Sequence, residues 1–218
     1  GGILRTEYIR NVRVELCDDN TLLLDYARFR VGNGPYSALR PVIRLYDEIY
    51  EAVAAGEGES APVEVLYTFQ AAPDVVGEPL WLAAEIGDCR EVRVNGQEPE
   101  RELGWWIDKS IRRLDITSLV RTGENLVTLE YRIPRVRKEP DLAKVFETER
   151  NRFCRPIEVE NIYIGGGFDV GMNGLVRGPN CLLATKTDFR LVPRQPKRYD
   201  ELTAQGLPFY RGRVRYTV

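Results

Sequence analysis

Apolar and polar residues alternate with period two over most of the chain, the spacing of strands that bury one face and expose the other. Leu22, Leu24, Tyr26 and Phe29 fall largely on one parity within 20–31. Val63, Val65, Tyr67 and Phe69 repeat the pattern, and so do Val127, Leu129, Tyr131 and Ile133 after the turn Thr122-Gly123-Glu124-Asn125. The denser apolar run over 80–86, with Trp81 inside it, predicts a strand covered on both faces and a core role for that indole. Val92 and Val94 lead into Asn95-Gly96, two residues that tolerate positive φ and so mark a tight hairpin turn. Later strands are expected over 157–164, 182–192 and 209–218.

Between residues 37 and 55 the period changes. Leu39, Val42, Ile43, Tyr46, Ile49, Tyr50 and Val53 recur at spacings of three and four, which predicts one amphipathic helix. Ser37 is its expected N-cap, Pro41 sits in its first turn, and Gly56 stops it. A weaker helical pattern covers 140–150, and a single turn is expected over 200–205, ended by Gly206. Many strands, one docked helix and few parallel crossovers predict an all-β fold: an antiparallel β-sandwich or jelly roll with one inserted amphipathic helix. No Pro-, Gly- and Ser-rich stretch divides the chain, and the early strands need the later ones as partners. Residues 1–218 therefore read as one module, with the helical insertion at 37–56 and the jelly-roll core at 63–218.

Composition narrows the chemistry. The chain has 218 residues, enough to bury a core, and 31 basic against 33 acidic side chains leave a net charge of −2. Charges so balanced give no basic face, so no nucleic-acid partner is expected. The longest apolar runs are a few residues, against the twenty or so that a bilayer crossing takes, so no membrane association is expected either. The absence of histidine removes Ser-His and Cys-His nucleophiles and His-ligated zinc together. Cys17, Cys89, Cys154 and Cys181 are scattered and form no C-x-x-C pair, so they read as small buried or free thiols, with one or two disulfides if the parent protein is secreted. The chain opens Gly-Gly-Ile-Leu, its one methionine is Met172, and no targeting segment is visible, so it is expected to be a piece of a longer protein. The compartment stays open, a secreted or periplasmic parent included.

The stretch from Leu80 to Ile133 is the most specific. A buried strand is followed by Val92-Arg93-Val94-Asn95-Gly96, a loop Gly104-Trp105-Trp106-Ile107-Asp108, then Leu114-Asp115-Ile116-Thr117 and Gly123-Glu124-Asn125. Asn95-Gly96 closes a two-residue turn, the short oxygens of Asp115 and Thr117 suit backbone N–H groups at a corner, and Gly123 supplies positive φ before the next strand. This order resembles the jelly-roll, galactose-binding-like domain of large bacterial glycoside hydrolases such as β-galactosidases and β-glucuronidases. The segments 158–170 and 202–212, with Leu22 to Ala27, look like the C-terminal region of the α-L-rhamnosidase-like type, except that Gly167 stands where that pattern has an acid. The resemblance implies a non-catalytic accessory module that binds or positions carbohydrate, with the catalytic domain of the same parent chain as its other partner. A structural calcium would fit the resemblance, but no Asp-x-Asp-x-Asp-Gly loop is present, so neither metal nor other cofactor is expected.

Trp105, Trp106 and Asp108 are the candidate carbohydrate-binding residues, since a loop indole offers a flat face to a pyranose and a carboxylate takes its hydroxyls. The same indoles could instead serve the core or an interface with a neighbouring domain. Glu158, Glu160 and Asp169 are secondary candidates. Glu158 and Glu160 would share one strand face, either as a solvated face or as carboxylates about 6–7 Å apart, inside the roughly 5–9.5 Å range of glycosidase pairs. Gly165-Gly166-Gly167 lacks the Lys-Ser/Thr of a phosphate loop and reads as a bulge or tight corner. Arg132, Arg135, Arg137 and Lys138 are expected to pair with the acids that follow them on a solvated surface.

Overall fold

The computed structural model describes residues 12–135, 157–172, 176–177, 182–183 and 189–218. In chain order the strands are β1 (Arg13–Leu16), β2 (Asn20–Leu24), β3 (Tyr26–Val31) and β4 (Arg40–Pro41), then helix α1 (Val42–Ala54). β5 (Ser60–Ala71), β6 (Leu80–Glu85), β7 (Glu91–Val94), β8 (Glu102–Trp106), β9 (Asp108–Asp115) and β10 (Gly123–Pro134) follow. β11 (Ile162–Gly166), β12 (Phe168–Gly171), β13 (Val176–Arg177), β14 (Leu182–Leu183), β15 (Arg190–Pro193) and β16 (Val214–Thr217) complete the set.

Two sheets make the sandwich. One has the order β2-β11-β6-β9-β8, and the other runs β12-β15-β5-β10-β7 with β3 and β4 attached to β5. All the pairings are antiparallel except β15 with β5. Alternation puts Leu80, Leu82, Ala84, Ile162 and Ile164 of the first sheet against Val63, Val65, Tyr67, Val127, Leu129 and Tyr131 of the second in one contiguous buried cluster. The parity slip between Leu24 and Ala27 is a change of sheet: β2 joins the first and β3 the second, with Asp25 between them. The strand expected over 20–31 is therefore two strands.

Helix α1 begins at Val42, five residues after its expected cap. Pro41 takes the N-cap position, and Ser37 serves β3 instead: its N–H donates to the Phe29 carbonyl and its Oγ accepts from the Phe29 N–H. The buried stripe is Val42, Leu45, Tyr46, Ile49, Tyr50 and Val53, packed on β3, β5 and β10. Ile43, placed on that stripe by spacing alone, is 87% exposed, and Leu39 lies outside the helix. Arg135 closes the C-terminal end by donating to the Val53 and Ser60 carbonyls at 2.9 and 3.2 Å. Arg132 donates to Ser60 Oγ; Arg137, Lys138 and the acids expected to pair with this run, Glu139, Asp141, Glu147 and Glu149, lie outside the described residues. The helix expected over 140–150 also lies outside them, whereas the turn at 200–205 is present as a short 3-10 turn (Thr203–Gln205) ended by Gly206.

The motif residues of 92–125 satisfy the backbone where the strands turn. Asn95 and Gly96 have φ of 52° and 84°, and Val94 and Gln97 exchange both backbone hydrogen bonds across them. Asn125 is fully buried: its Oδ1 accepts from the Arg121 N–H and from Asn95 Nδ2, and its Nδ2 donates to the Arg121 and Gly123 carbonyls. Asp115 accepts from the Thr117 N–H and hydroxyl, and Thr117 Oγ1 accepts from the Leu80 N–H.

The three-glycine segment is a corner. β11 ends in the first sheet at Gly166 and β12 begins in the second at Phe168, so the chain changes layers across Gly167. Asn20 fastens this corner to the C-terminal segment by donating to the carbonyls of Phe168 and Gly206. β1 pairs with β16, from Arg13 opposite Thr217 to Leu16 opposite Val214.

Candidate functional site

The outer face of the five-stranded sheet, the one turned away from the core, carries an aromatic stack. Along β6, Leu80, Leu82 and Ala84 point into the core and Trp81 points outward. Trp81 is only 6% exposed, buried as its strand predicts, but its cover comes from the outer face. Its ring centroid lies 5.4 Å from that of Trp106, which lies 4.8 Å from Tyr163 in an edge-on contact. Gly165 of β11 stands beside Trp81, and a Cβ there would fall 2.0–2.2 Å from the indole. The glycine is the gap in which the indole lies.

Trp105 and Trp106 are strand residues, not the loop their sequence suggested. β8 and β9 form a hairpin with register shifts at Glu102/Gly104 and Trp105/Trp106. Such bulges re-aim side chains, and here Trp106 turns onto Trp81 and Tyr163 while Trp105 stays 52% exposed. Ile107, between the two strands, has φ of 65° and is 51% exposed. A β-branched residue in that region is strained by about 1–3 kcal/mol, and such outliers gather at binding sites.

Two members of the stack, Trp81 and Trp106, floor an open cleft of about 590 Å³, and Tyr163 supports Trp106 from outside it. Asp18 and Asp19 enter it from the turn before β2, Arg113 from β9, and Arg211 and Arg213 from the C-terminal segment. Asp19 Oδ2 accepts from Trp81 Nε1 at 2.8 Å. Asp18 accepts from the backbone N–H, Nε and Nη2 of Arg213, contacts that hold its carboxyl below the usual range, with the side-chain bond the leading cause. Arg113 donates from Nη2 to the Leu103 carbonyl, and its guanidinium lies 5.7 Å from the Trp81 ring centroid.

Of the residues singled out by sequence, Trp106 lines this cleft; Trp105 and Asp108 do not. Asp108 is exposed at the start of β9, where its Oδ1 accepts from the Ser110 N–H and hydroxyl and is held below its usual pKa by the same bonds, the backbone one first. Glu158 and Glu160 are both exposed with Val159 buried between them, but they precede β11 and belong to no strand. Burial, then the charges of Glu158 and Glu85, raise the Glu160 carboxyl. Asp169 stands apart from them in the second sheet, 4% exposed, accepting from Lys197 Nζ and the Gln195 N–H. Sequence reasoning missed Asp18, Asp19, Arg113, Arg211 and Arg213, because the first two and the last two meet only when β1 and β16 pair. Among the described residues, no group of three or more His, Cys, Asp or Glu is placed to hold a metal ion. Also among them, no helix is long and apolar enough to cross a membrane.

The sequence matches no family model, and no curated protein matches it. Among solved structures it is similar to the β-D-glucuronidase of Dictyoglomus thermophilum, at 17% identity and a TM-score of 0.37, over 77% of this chain and 31% of that one. It is also similar to a β-glucuronidase of an uncultured Clostridium species, at 14% identity and a TM-score of 0.32, over 79% of this chain and 33% of that one. The chain thus spans 31–33% of the length of these two proteins. Neither likeness assigns a role to any residue of this chain.

Proposed function

We propose that this chain is a non-catalytic accessory module of a glycoside hydrolase, and that it binds or positions carbohydrate in the cleft floored by Trp106. The observation that carries the reading is the outward-facing stack of Trp81, Trp106 and Tyr163 beneath an open cleft rimmed by carboxylates and guanidinium groups. A pyranose ring has an apolar C–H face that packs on an indole, and equatorial hydroxyls that need acceptors at its edge. Asp19 spends one carboxylate oxygen on Trp81, and the other has no hydrogen-bond partner within the described residues. The bonds that hold Trp81 and Arg113 in place keep the floor rigid before a ligand arrives, which lowers the entropic cost of binding.

The test is titration with galactose, rhamnose and their oligosaccharides while following tryptophan emission. Binding that quenches or shifts emission, and that weakens about 30-fold in Trp106→Ala, supports the reading; the factor corresponds to the roughly 2 kcal/mol that an aromatic anchor contributes. A flat response from folded protein to every saccharide overturns it.

A second reading rests on the hairpin tip. Trp105 and Ile107 are both more than half exposed, which suits an apolar contact with the catalytic domain of the same parent chain. In that case Trp105→Ser weakens the association of the two domains and leaves saccharide titrations unchanged. A glycosidase acting through Glu158 and Glu160 is the third; it requires aryl-glycoside hydrolysis that Glu158→Gln or Glu160→Gln abolishes, and we expect no turnover.

A further inference from the structure

The charges around the cleft are not matched. Three arginines and two aspartates line it, on a chain whose net charge is −2. Asp18 and Arg213 are committed to each other through two side-chain hydrogen bonds and one from the Arg213 backbone. Asp19 is bound to an indole N–H, not to a cation. That leaves Arg113 and Arg211 in the lining with no carboxylate partner among the described residues. Some arginines outside the cleft pair with acids, among them Arg30 with Glu64, Arg40 with Glu48, Arg112 with Glu102, and Arg198 with Asp200, whereas others, such as Arg28 and Arg121, donate to carbonyls.

The two unmatched groups differ in how they are held. Arg113 is fixed by the Leu103 carbonyl and by its place over Trp81, and its Nε is a buried donor with no acceptor among the described residues. A guanidinium that lines a cleft without a carboxylate beside it gains most from an oxyanion brought by a ligand to its remaining N–H donors. Arg211 is exposed and lines the cleft from the C-terminal segment, on the solvent side.

We propose that the cleft selects a saccharide that carries an anionic group, a carboxylate or a sulfate, received by Arg113 and Arg211 while the sugar ring lies on Trp106. This rests on the carbohydrate reading above and names the class of sugar. Asp19 then serves ring hydroxyls, and its negative charge keeps the anionic group on the arginine side of the cleft.

Isothermal titration of the whole chain would compare oligogalacturonate, a sulfated galactan oligosaccharide and a neutral galacto-oligosaccharide of equal length, with acetate and inorganic sulfate as ring-free anions. We expect at least one anionic saccharide to bind at least tenfold more tightly than the neutral one, the advantage shrinking as salt is raised. The stronger of the two anionic arms identifies the group. Arg211→Gln, on an exposed side chain, should lose part of the advantage, and Arg113→Gln with Arg211→Gln should lose all of it, the ratio of anionic to neutral affinity falling to about one. Equal affinity for neutral and anionic saccharides overturns anion selection and leaves the carbohydrate reading standing. Acetate or sulfate binding as tightly as the saccharides overturns the role given to the ring. No saccharide binding by folded protein overturns both readings.

Discussion

Replacing Gly165 by alanine puts a methyl group where the Trp81 indole lies. The new Cβ would sit 2.0 Å from Cζ2 and 2.2 Å from Cε2 and Cη2. Carbon atoms rest at about 3.5–4.0 Å, so the ring must retreat by roughly 1.5 Å. That retreat breaks the 2.8 Å bond from Trp81 Nε1 to Asp19 and spoils the contact with Trp106. Overpacking of this kind costs about 1–3 kcal/mol, and the lost hydrogen bond about 1 kcal/mol more. The stiffer unfolded chain of the alanine variant returns about 0.5–1 kcal/mol, so a net loss of about 2–3 kcal/mol is expected. Urea unfolding followed by far-UV circular dichroism measures the loss, and near-UV circular dichroism reports the displaced indole. In a Trp81→Ala background the same change should be neutral or stabilising, because the clash is gone; the difference between the two backgrounds isolates the contact. A stability change under 0.5 kcal/mol with an unaltered near-UV spectrum would refute the placement of the indole over Gly165, and with it the built floor of the cleft.

Other perturbations probe the rest of the scaffold. Asn125→Ala strands the Arg121 N–H and the Arg121 and Gly123 carbonyls, and a loss of about 2–4 kcal/mol in urea unfolding is expected, less if water refills the turn. Asn125→Asp turns a donor into a carboxylate facing two carbonyls, so its folded pKa is raised; its stability should rise as pH falls from 7 to 4, the reverse of an ordinary aspartate, and no such rise would count against the network. Lys197→Met leaves the Asp169 carboxylate buried and unpaired, at a cost of about 3–5 kcal/mol by thermal unfolding, and adding Asp169→Leu should recover most of it. The Asp18 carboxyl is lowered by Arg213, so its contribution is complete above the ordinary carboxylate range and is lost as pH falls below about 3.8; acid titration of Asp18→Asn should show a shallower loss of stability than the parent. Burial pushes the Cys89 thiol up to about 11, whereas Cys17 is exposed, so peptide mapping after brief alkylation at pH 8 should find Cys17 modified before Cys89.

The strands were legible wherever alternation was long and unbroken. β5 and β10 each run twelve residues, and their buried positions are the ones the period-two pattern names. Turn chemistry was as readable, because Asn95-Gly96, Asp115-Thr117 and Gly123-Asn125 act through bonds within a few residues or to the adjoining strand. Boundaries set by tertiary partners were not. Ser37 looks like a helix cap, yet Phe29 offers it two backbone bonds, and the helix starts where Val42 can donate to the Asp25 carbonyl. Ile43 satisfies helical spacing but sits beyond the edge of the stripe, where Leu45 takes its place in the core. The cleft was the least legible part. Trp106 stood out as an aromatic, but Arg113 reads as an ordinary strand charge, and nothing in Asp18 or Arg213 announces a partner some two hundred residues away.

The short ladder between β1 and β16 has a mechanical meaning. The two strands are antiparallel with Arg13 opposite Thr217, so the chain leaves both at the same end. Tension applied through the flanking chain loads the ladder one residue pair at a time, as a zipper is opened, and never shears the whole set together. The next links inward are the Cys17 N–H to the Arg213 carbonyl and the Asp18–Arg213 ion pair, which belong to the wall of the cleft. Pulling from residues 13 and 217 should therefore open the cleft at low force while the sandwich core stays folded. A single-molecule trace with a small early step, ahead of the main rupture and absent in Asp18→Asn, would record that event, and its absence in the parent would argue that the wall yields only with the core.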